Sequence, residues 1–317
     1  FVEYCLYRLK LMRHYNVNPI VIFDGGKLVA KESTEGKRDE RRKKASKAGI
    51  ALLEKAQLYP KGSREAARLL NEAKSQFQQA ISISPAVMAV TIEALRKNNF
   101  KFIIAPYEAD AQLAYEVKVR SGCDVIVTED SDVIVYCLAA GATNAKVLCK
   151  MDRNGVGTEV DIKKFREKQV VNKLNLNKVN KEGGSGWEKS KRRNLFIENL
   201  HKMSPTLFVQ MAVLAGCDYC HSIKGIGIKK AQLLVVKFAK SPDEQRLLHI
   251  INHVGKADKK KFIPLNYEQN VKNAMFTFMH HWVVETRLGA IRMVNLNPIA
   301  KDVEKCTLAP IIGEKYC

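Results

Sequence analysis

Six acidic residues, Asp24, Glu108, Asp110, Asp130, Asp132 and Asp218, each stand at the end of an apolar run or in a short polar turn beside one. A charge in such a place costs stability unless something compensates it. A bound divalent cation is one compensator, and carboxylate oxygens are the ligands Mg²⁺ prefers. Asp130 and Asp132 are two apart, so in extended backbone they point the same way. Two like charges held close repel, and a shared cation removes that cost. An Asp-rich turn capping the next helix is the plainer reading of this pair alone. It leaves unexplained why Glu108 and Asp110 repeat the arrangement elsewhere. Asp218 follows Leu214-Ala215-Gly216-Cys217, at the end of an apolar helix, where a negative charge is unfavourable without compensation. The chemistry this set suggests is metal-assisted reaction at phosphate.

Basic residues and glycines point to the same substrate class. The run Ser222 to Ala231 reads as a helix–hairpin–helix connection. Gly225 and Gly227 permit tight backbone that exposes N–H groups, Ile226 lies between them, and the next helix adds a favourable dipole for an anion. Lys229 and Lys230 add charge. A plain loop is the alternative, and the apolar helix on either side weighs against it. Lys31 and Arg38 are seven apart, nearly two helical turns, and share a face with Arg42 if this stretch is helical. Gly36 within it costs about 1 kcal/mol of helix stability, so ordering on contact with DNA is one expectation. A solvated charged helix is the other.

The elements that must position these residues alternate. Phe1 to Tyr15 reads as a helix broken by Asn18-Pro19. Ile20 to Phe23, Phe102 to Ala105 and Val125 to Val127 read as buried strands, and Lys146 to Lys150 as a fourth. Helices are expected over Ser63–Ala80, Pro85–Asn98 and, following Pro106 to Asp110, through about Val119, with Lys27–Lys47 an exposed helix or mobile segment. Alternation of this kind predicts an α/β fold with a mostly parallel sheet. Ligands in such folds bind beyond the carboxyl ends of the strands, where five of the six acids fall. Leu174 to Arg193, rich in Lys and Asn, reads as a disordered surface insertion, and the remainder as mainly helical.

The chain has 317 residues and an excess of 20 positive charges, which suggests a polyanionic partner, most often nucleic acid. A hydrophobic share of 46% is enough for a real core. The eight cysteines show no framework spacing; Cys217 and Cys220 form one C-x-x-C without the further ligands a zinc site needs, and a reducing compartment is expected. Val133 to Ala142 is the longest apolar stretch, well short of the roughly 20 residues that span a bilayer. The chain opens at Phe1 within an expected helix, as an N-terminally truncated piece would.

An ordered set of runs carries a family resemblance: Phe23-Asp24-Gly25, Ala105 to Tyr115, Thr128 to Asp132, Lys150 to Asp152, Gly216 to Tyr219 and Gly225 to Gly227. Together they resemble the exonuclease branch of the flap-endonuclease/XPG superfamily of structure-specific 5′ nucleases. The resemblance implies a PIN-like/5′-nuclease fold with a helix–two-turn–helix DNA-binding element. It implies that Asp24, Glu108, Asp110, Asp130, Asp132 and Asp218 hold two Mg²⁺ ions, with Mn²⁺ able to substitute. Lys31 and Arg38 match the basic pair at the base of the family's helical arch, which contacts the scissile phosphate. Ser222, with the carbonyls of Ala215 and Ile226, matches a K⁺ site in the duplex-gripping hairpin. It divides the chain into the remainder of an N-terminal nuclease region (1–60), an internal nuclease region (61–170), a disordered basic insertion (171–193), a helix–two-turn–helix region (194–290) and a C-terminal extension (291–317). The family's first strand and a further catalytic aspartate are expected upstream of Phe1. The implied protein is a monomeric nuclear 5′→3′ exonuclease and flap endonuclease in mismatch repair, recombination and end resection. It would act on double-stranded DNA with 5′ ends, nicks, gaps or flaps, and dock mismatch-repair proteins through a tail. A replication-type flap endonuclease and a DNA-binding protein without catalysis are the rival readings.

Overall fold

The computed structural model describes residues 1–166, 203–257, 262–287, 290–299 and 309–314. The 174–193 insertion lies outside them, as do residues 300–308 and 315–317 of the 291–317 extension. The described helices and strands divide into two compact units, the first comprising residues 1–21 and 31–102 and the second residues 22–30 and 103–317.

In the first unit, α1 (Val2–His14) is followed by α2 (Glu32–Gln57), α3 (Arg64–Ala80) and α4 (Pro85–Lys97). The basic segment is helical well past its expected end at Lys47, because Ala45, Gly49 and Ala56 give α2 a buried stripe of small residues. At Gly49 a Cβ would stand 2.9 Å from the Phe77 ring of α3, so a larger residue there would have to push that ring aside. Arg13 fastens α1 to the end of α4, donating to the carbonyls of Asn98 (3.1 Å) and Asn99 (2.9 Å) with its guanidinium over the Phe100 ring. Ser63 starts α3: its Oγ accepts the Ala66 N–H at 3.2 Å. Ser63→Ala removes that acceptor and is expected to cost about 1 kcal/mol, read by urea denaturation.

The strands are β1 (Ile20–Phe23), β2 (Lys101–Ile104), β3 (Val125–Val127), β4 (Lys146–Cys149) and β5 (Thr158–Asp161). β1 pairs with β2, and β3, β4 and β5 form a second sheet in that order. β3 and β4 are parallel and β4 and β5 antiparallel, giving a mixed α/β arrangement. The second unit's helices are α5 (Ala109–Val119), α6 (Asp132–Ala140), α7 (Ile162–Arg166), α8 (Pro205–Ala215), α9 (Ile228–Lys237), α10 (Asp243–Ala257) and α11 (Tyr267–His280). Seven of the nine residues of α6, Val133 and Val135 to Ala140, are buried, as expected for a helix apolar on every side. It shares a core with α5, α8 and α11 through Ala111, Val133, Cys137, Val209, Val213, Val271 and Phe278. No described helix is long and apolar enough to cross a membrane.

The described remainder is mainly helical, as expected, and adds one hairpin that was not. β6 (Trp282–Arg287) and β7 (Ala290–Asn295) pair antiparallel. Gln112, fully buried in α5, clamps β6: its Oε1 accepts the Val284 N–H at 2.7 Å and its Nε2 donates to the Val284 carbonyl at 2.8 Å. The Tyr115 hydroxyl adds a bond to Glu285 at 3.0 Å. A short helix, α12 (Ala309–Ile312), completes the described elements.

Candidate metal centre and nucleic-acid interface

The corner after β2 is stitched to the turn after β1. The Gly25 N–H donates to the Tyr107 carbonyl at 2.7 Å, Gly26 to Pro106 at 2.8 Å, and Ala105 to Phe23 at 2.9 Å. Asp24 then places Oδ1 2.8 Å from the Ala109 N–H, the first amide of α5. One carboxylate therefore serves a helix start flanked by two others, since Glu108 is the N-cap residue and Asp110 the second residue of α5. An anion there is favoured by the helix dipole and the unpaired first-turn amides.

Asp130 and Asp132 are arranged differently from the extended-backbone expectation. Ser131 is in helical conformation (φ −77°, ψ −18°), and Asp132 opens α6. Asp130 Oδ1 accepts the Asp132 N–H at 2.9 Å. The turn-capping reading is thus correct for one oxygen of Asp130. It does not compete with a charge role for the pair, because both carboxylates stay at the N-terminus of a buried helix.

A floor of buried rings lies beneath these acids. The Tyr136 and Tyr219 hydroxyls are hydrogen-bonded at 2.6 Å. Both rings pack on Phe278, with centroids 4.8 and 5.1 Å away. Burial drives the Tyr136 hydroxyl pKa well above the usual tyrosine range, and the negative charges of Glu108, Asp110 and Asp132 push it the same way. Tyr219 is raised likewise by burial, with Glu108 and Asp132 contributing. Three acids from two helix starts therefore act on one buried tyrosine. Asp218, immediately before Tyr219, follows α8 by a turn in which the Cys217 N–H donates to the Cys220 carbonyl at 2.9 Å. Both thiols are held neutral by burial, Cys217 pushed up to about 12 and Cys220 to about 11, as structural thiols would be.

The donor set is all carboxylate, which suits a hard divalent cation. Among the described residues no three His, Cys, Asp or Glu side chains close on one point at metal-ligand spacing. Mg²⁺ usually keeps several waters and takes only one or two carboxylates besides substrate phosphate, so the donors' chemistry fits such an ion without a closed protein cage.

Two successive turns join α8 to α9. The first is Cys217–Cys220; the second brings the Ile226 N–H to the Ile223 carbonyl at 2.9 Å. Gly216 (φ +102°) and Gly225 (φ +81°) occupy left-handed backbone that favours glycine. Ser222 packs against Gly216, where a Cβ would meet the Ser222 backbone nitrogen at 3.3 Å. Gly227 caps α9, and Lys229 and Lys230 stand in its first turn. Ala215 is the last residue of α8. Lys31 and Arg38 belong to the first unit: Lys31 is the N-cap residue of α2, so only Arg38 lies within the helix, where it pairs with Glu35 at 2.8 Å.

Sequence reading missed Gln112 and His281. Both are buried polar residues whose partners lie 172 and 173 residues away in the chain. The hairpin of β6 and β7 did leave a signal: two runs rich in β-branched residues separated by Leu288-Gly289.

Comparison with known proteins agrees with the motifs. Residues 1–45 match the family described as XPG N-terminal domain, and residues 99–218 the XPG I-region. Exonuclease 1 of Arabidopsis thaliana is 30% identical over 315 residues, covering 99% of this chain and 34% of the relative. Exonuclease 1 of Xenopus laevis is 31% identical over 304 residues, covering 96% of this chain and 34% of the relative. A structure of the catalytic core of Rad2 in complex with DNA substrate is similar at a TM-score of 0.49 and 16% identity, over 86% of this chain and 69% of that one. The chain spans about a third of the length of the curated relatives it matches. Asp24, Lys31 and Arg38 fall in the first matched region and the other five acids in the second, and the chain belongs to the XPG family of 5′ nucleases, with exonuclease 1 proteins among its relatives.

Proposed function

We propose that the chain hydrolyses DNA phosphodiesters near 5′ ends, as a 5′→3′ exonuclease with 5′-flap endonuclease activity. The observation that carries this is the bond from the Ala109 N–H to Asp24 Oδ1 at 2.8 Å, at a helix start where Glu108 is the N-cap residue and Asp110 the second residue of α5. Asp24, Glu108, Asp110, Asp130, Asp132 and Asp218 would hold the divalent ions, two Mg²⁺ or Mn²⁺. When bound, such ions supply an activated water and charge stabilisation at the leaving oxygen. The carboxylates then need not act as bases. Lys31 and Arg38 offset charge on the phosphate under attack. Ser222, with the carbonyls of Ala215 and Ile226, would hold K⁺ in the two-turn loop. The amides of Gly225 and Gly227 on either side of Ile226, with Lys229 and Lys230, grip the duplex through phosphates and so select structure over sequence.

The setting this implies is nuclear DNA repair, including mismatch repair, recombination and end resection. The substrates are double-stranded DNA with 5′ ends, nicks, gaps or flaps. A monomeric protein, with mismatch-repair partners held through other segments, is part of the same reading.

The test is Mg²⁺-dependent cleavage of 5′-recessed and 5′-flap duplexes by the chain, and by any longer protein that contains it, with EDTA and Asp130→Ala controls. Cleavage that EDTA and the substitution abolish supports the proposal. Salt-dependent binding without cleavage in either form leaves a DNA-binding protein and sinks the catalytic reading. The grip has its own expected result. Lys229→Ala with Lys230→Ala should weaken duplex binding across all sequences. It should also flatten the plot of log affinity against log salt by up to about 0.9 for each lysine that neutralises a phosphate. An unchanged slope removes those lysines from the interface.

A further inference from the structure

His281 is fully buried, yet it is a polar ring at the junction of α11 and β6. Its Nε2 lies 3.3 Å from the Glu108 backbone nitrogen and accepts that N–H. Accepting requires Nε2 to be bare, so the neutral ring carries its proton on Nδ1. Rings hold the imidazole in place edge-on: Tyr107 at 6.2 Å between centroids and Tyr136 at 5.7 Å. Tyr107 is itself tied down, its hydroxyl donating to the Glu314 carbonyl at 2.7 Å, and the Trp282 indole next to His281 donates to the Gly313 carbonyl at 3.0 Å.

Two successive amides at the start of α5 are thus taken by side chains from two distant parts of the chain. Ala109 N–H goes to Asp24 and Glu108 N–H to His281. The N-cap backbone at Glu108 is extended (φ −84°, ψ 129°), and its side chain makes no capping hydrogen bond. A residue whose backbone is fixed by neighbours can keep its carboxylate directed elsewhere. Groups that orient a ligand from behind commonly matter as much as the ligand.

We propose that His281 is a positioning residue for Glu108, holding its backbone amide so that the Glu108 carboxylate keeps its place beside Asp24, Asp110 and Asp132. The proposal rests on the nuclease reading for its effect on cleavage, but not for its structural claim.

His281→Phe keeps a planar aromatic ring and removes the Nε2 acceptor together with the Nδ1 proton. His281→Gln restores an acceptor at similar reach on a flexible chain. Both variants would first be checked for wild-type melting and duplex binding in EDTA. Hydrogen exchange of the Pro106–Asp110 segment is then measured without metal. Faster exchange in the Phe variant, with protection kept in the Gln variant, is the expected result. In the presence of metal, the Phe variant should cleave roughly tenfold or more slowly, and need a correspondingly higher Mg²⁺ concentration for half-maximal rate, with Gln recovering most of both. Mn²⁺ binding followed by electron paramagnetic resonance should weaken in the same order. Unchanged exchange in the Phe variant, or equal impairment of Phe and Gln, overturns the proposal. If the Phe variant does not fold, loss of protection in the Gln variant overturns it and retained protection supports it. A wild-type protein that neither binds Mn²⁺ nor cuts sinks the nuclease reading instead, and the exchange experiment still decides the role of His281.

Discussion

Asp132→Asn should abolish Mg²⁺-dependent cleavage while leaving the protein folded and able to bind duplex DNA. The substitution keeps shape and backbone: the Asp132 N–H still reaches Asp130 Oδ1, because that bond uses the amide and not the side chain. It deletes one negative charge from the first turn of α6. Losing that charge forfeits about 0.3–1 kcal/mol of favourable interaction with the helix dipole. It also relieves repulsion among Asp132, Glu108 and Asp110, all of which act on Tyr136. The two effects oppose each other, so the melting temperature should move little. Catalysis has no such offset. A preorganised charge that acts on the transition state is commonly worth 10² to 10³ in rate, roughly 3–4 kcal/mol, and a metal carboxylate belongs at or above that range. Single-turnover cleavage of a 5′-flap substrate, beside duplex binding in EDTA, separates the two. Cleavage within a fewfold of wild type would remove Asp132 from the metal set, and with it the reason for grouping Asp130 there.

Much of this site was legible in the sequence because its strands write themselves as unbroken apolar runs, although β1 to β3 are mostly half-buried to exposed rather than buried as expected. Ile20–Phe23 runs directly into Asp24, and the run ending at Ala105 leads through Pro106 and Tyr107 to Glu108, so the acids could be assigned to strand ends from local pattern alone. The connection between α8 and α9 was legible from Gly225 and Gly227, of which Gly225 takes left-handed backbone and Gly227 caps α9, while the left-handed Gly216 was not singled out. Local geometry was less legible. Alternation of side chains in a strand placed Asp130 and Asp132 together, whereas the observed proximity comes from a helix start at Ser131. The supports behind the acids could not be read at all. His281 looks like an ordinary polar residue until Tyr107 and Tyr136, far away in the chain, enclose it. Gln112 likewise becomes a clamp only when β6 arrives beside α5. Side chains that act by long-range backbone contact leave no periodicity to detect.

Gly25→Ala should destabilise the second unit by about 3–5 kcal/mol, which places it among the costlier single substitutions. A Cβ on Gly25 would lie 1.9 Å from the Ala105 carbonyl oxygen and 2.6 Å from that of Pro106. Those atoms are backbone and cannot rotate aside. The corner must open, and opening it breaks the bonds from Gly25 to Tyr107 and from Gly26 to Pro106. Lost backbone hydrogen bonds cost about 1 kcal/mol each, and overpacking typically adds 1–3 kcal/mol. Gly26→Ala is the internal control, because its Cβ would meet the Pro106 oxygen at 3.4 Å, an ordinary contact. Urea denaturation of the two variants should therefore separate sharply, although the sequence changes are adjacent and chemically identical. The functional consequence follows from the same geometry. Asp24 reaches Ala109 only while the corner is closed, so a folded fraction of Gly25→Ala should need more Mg²⁺ for cleavage than Gly26→Ala does. Equal stability of the two variants would mean that the β1–β2 stitch does not hold the corner. The close approach of Asp24 to the start of α5 would then need another cause.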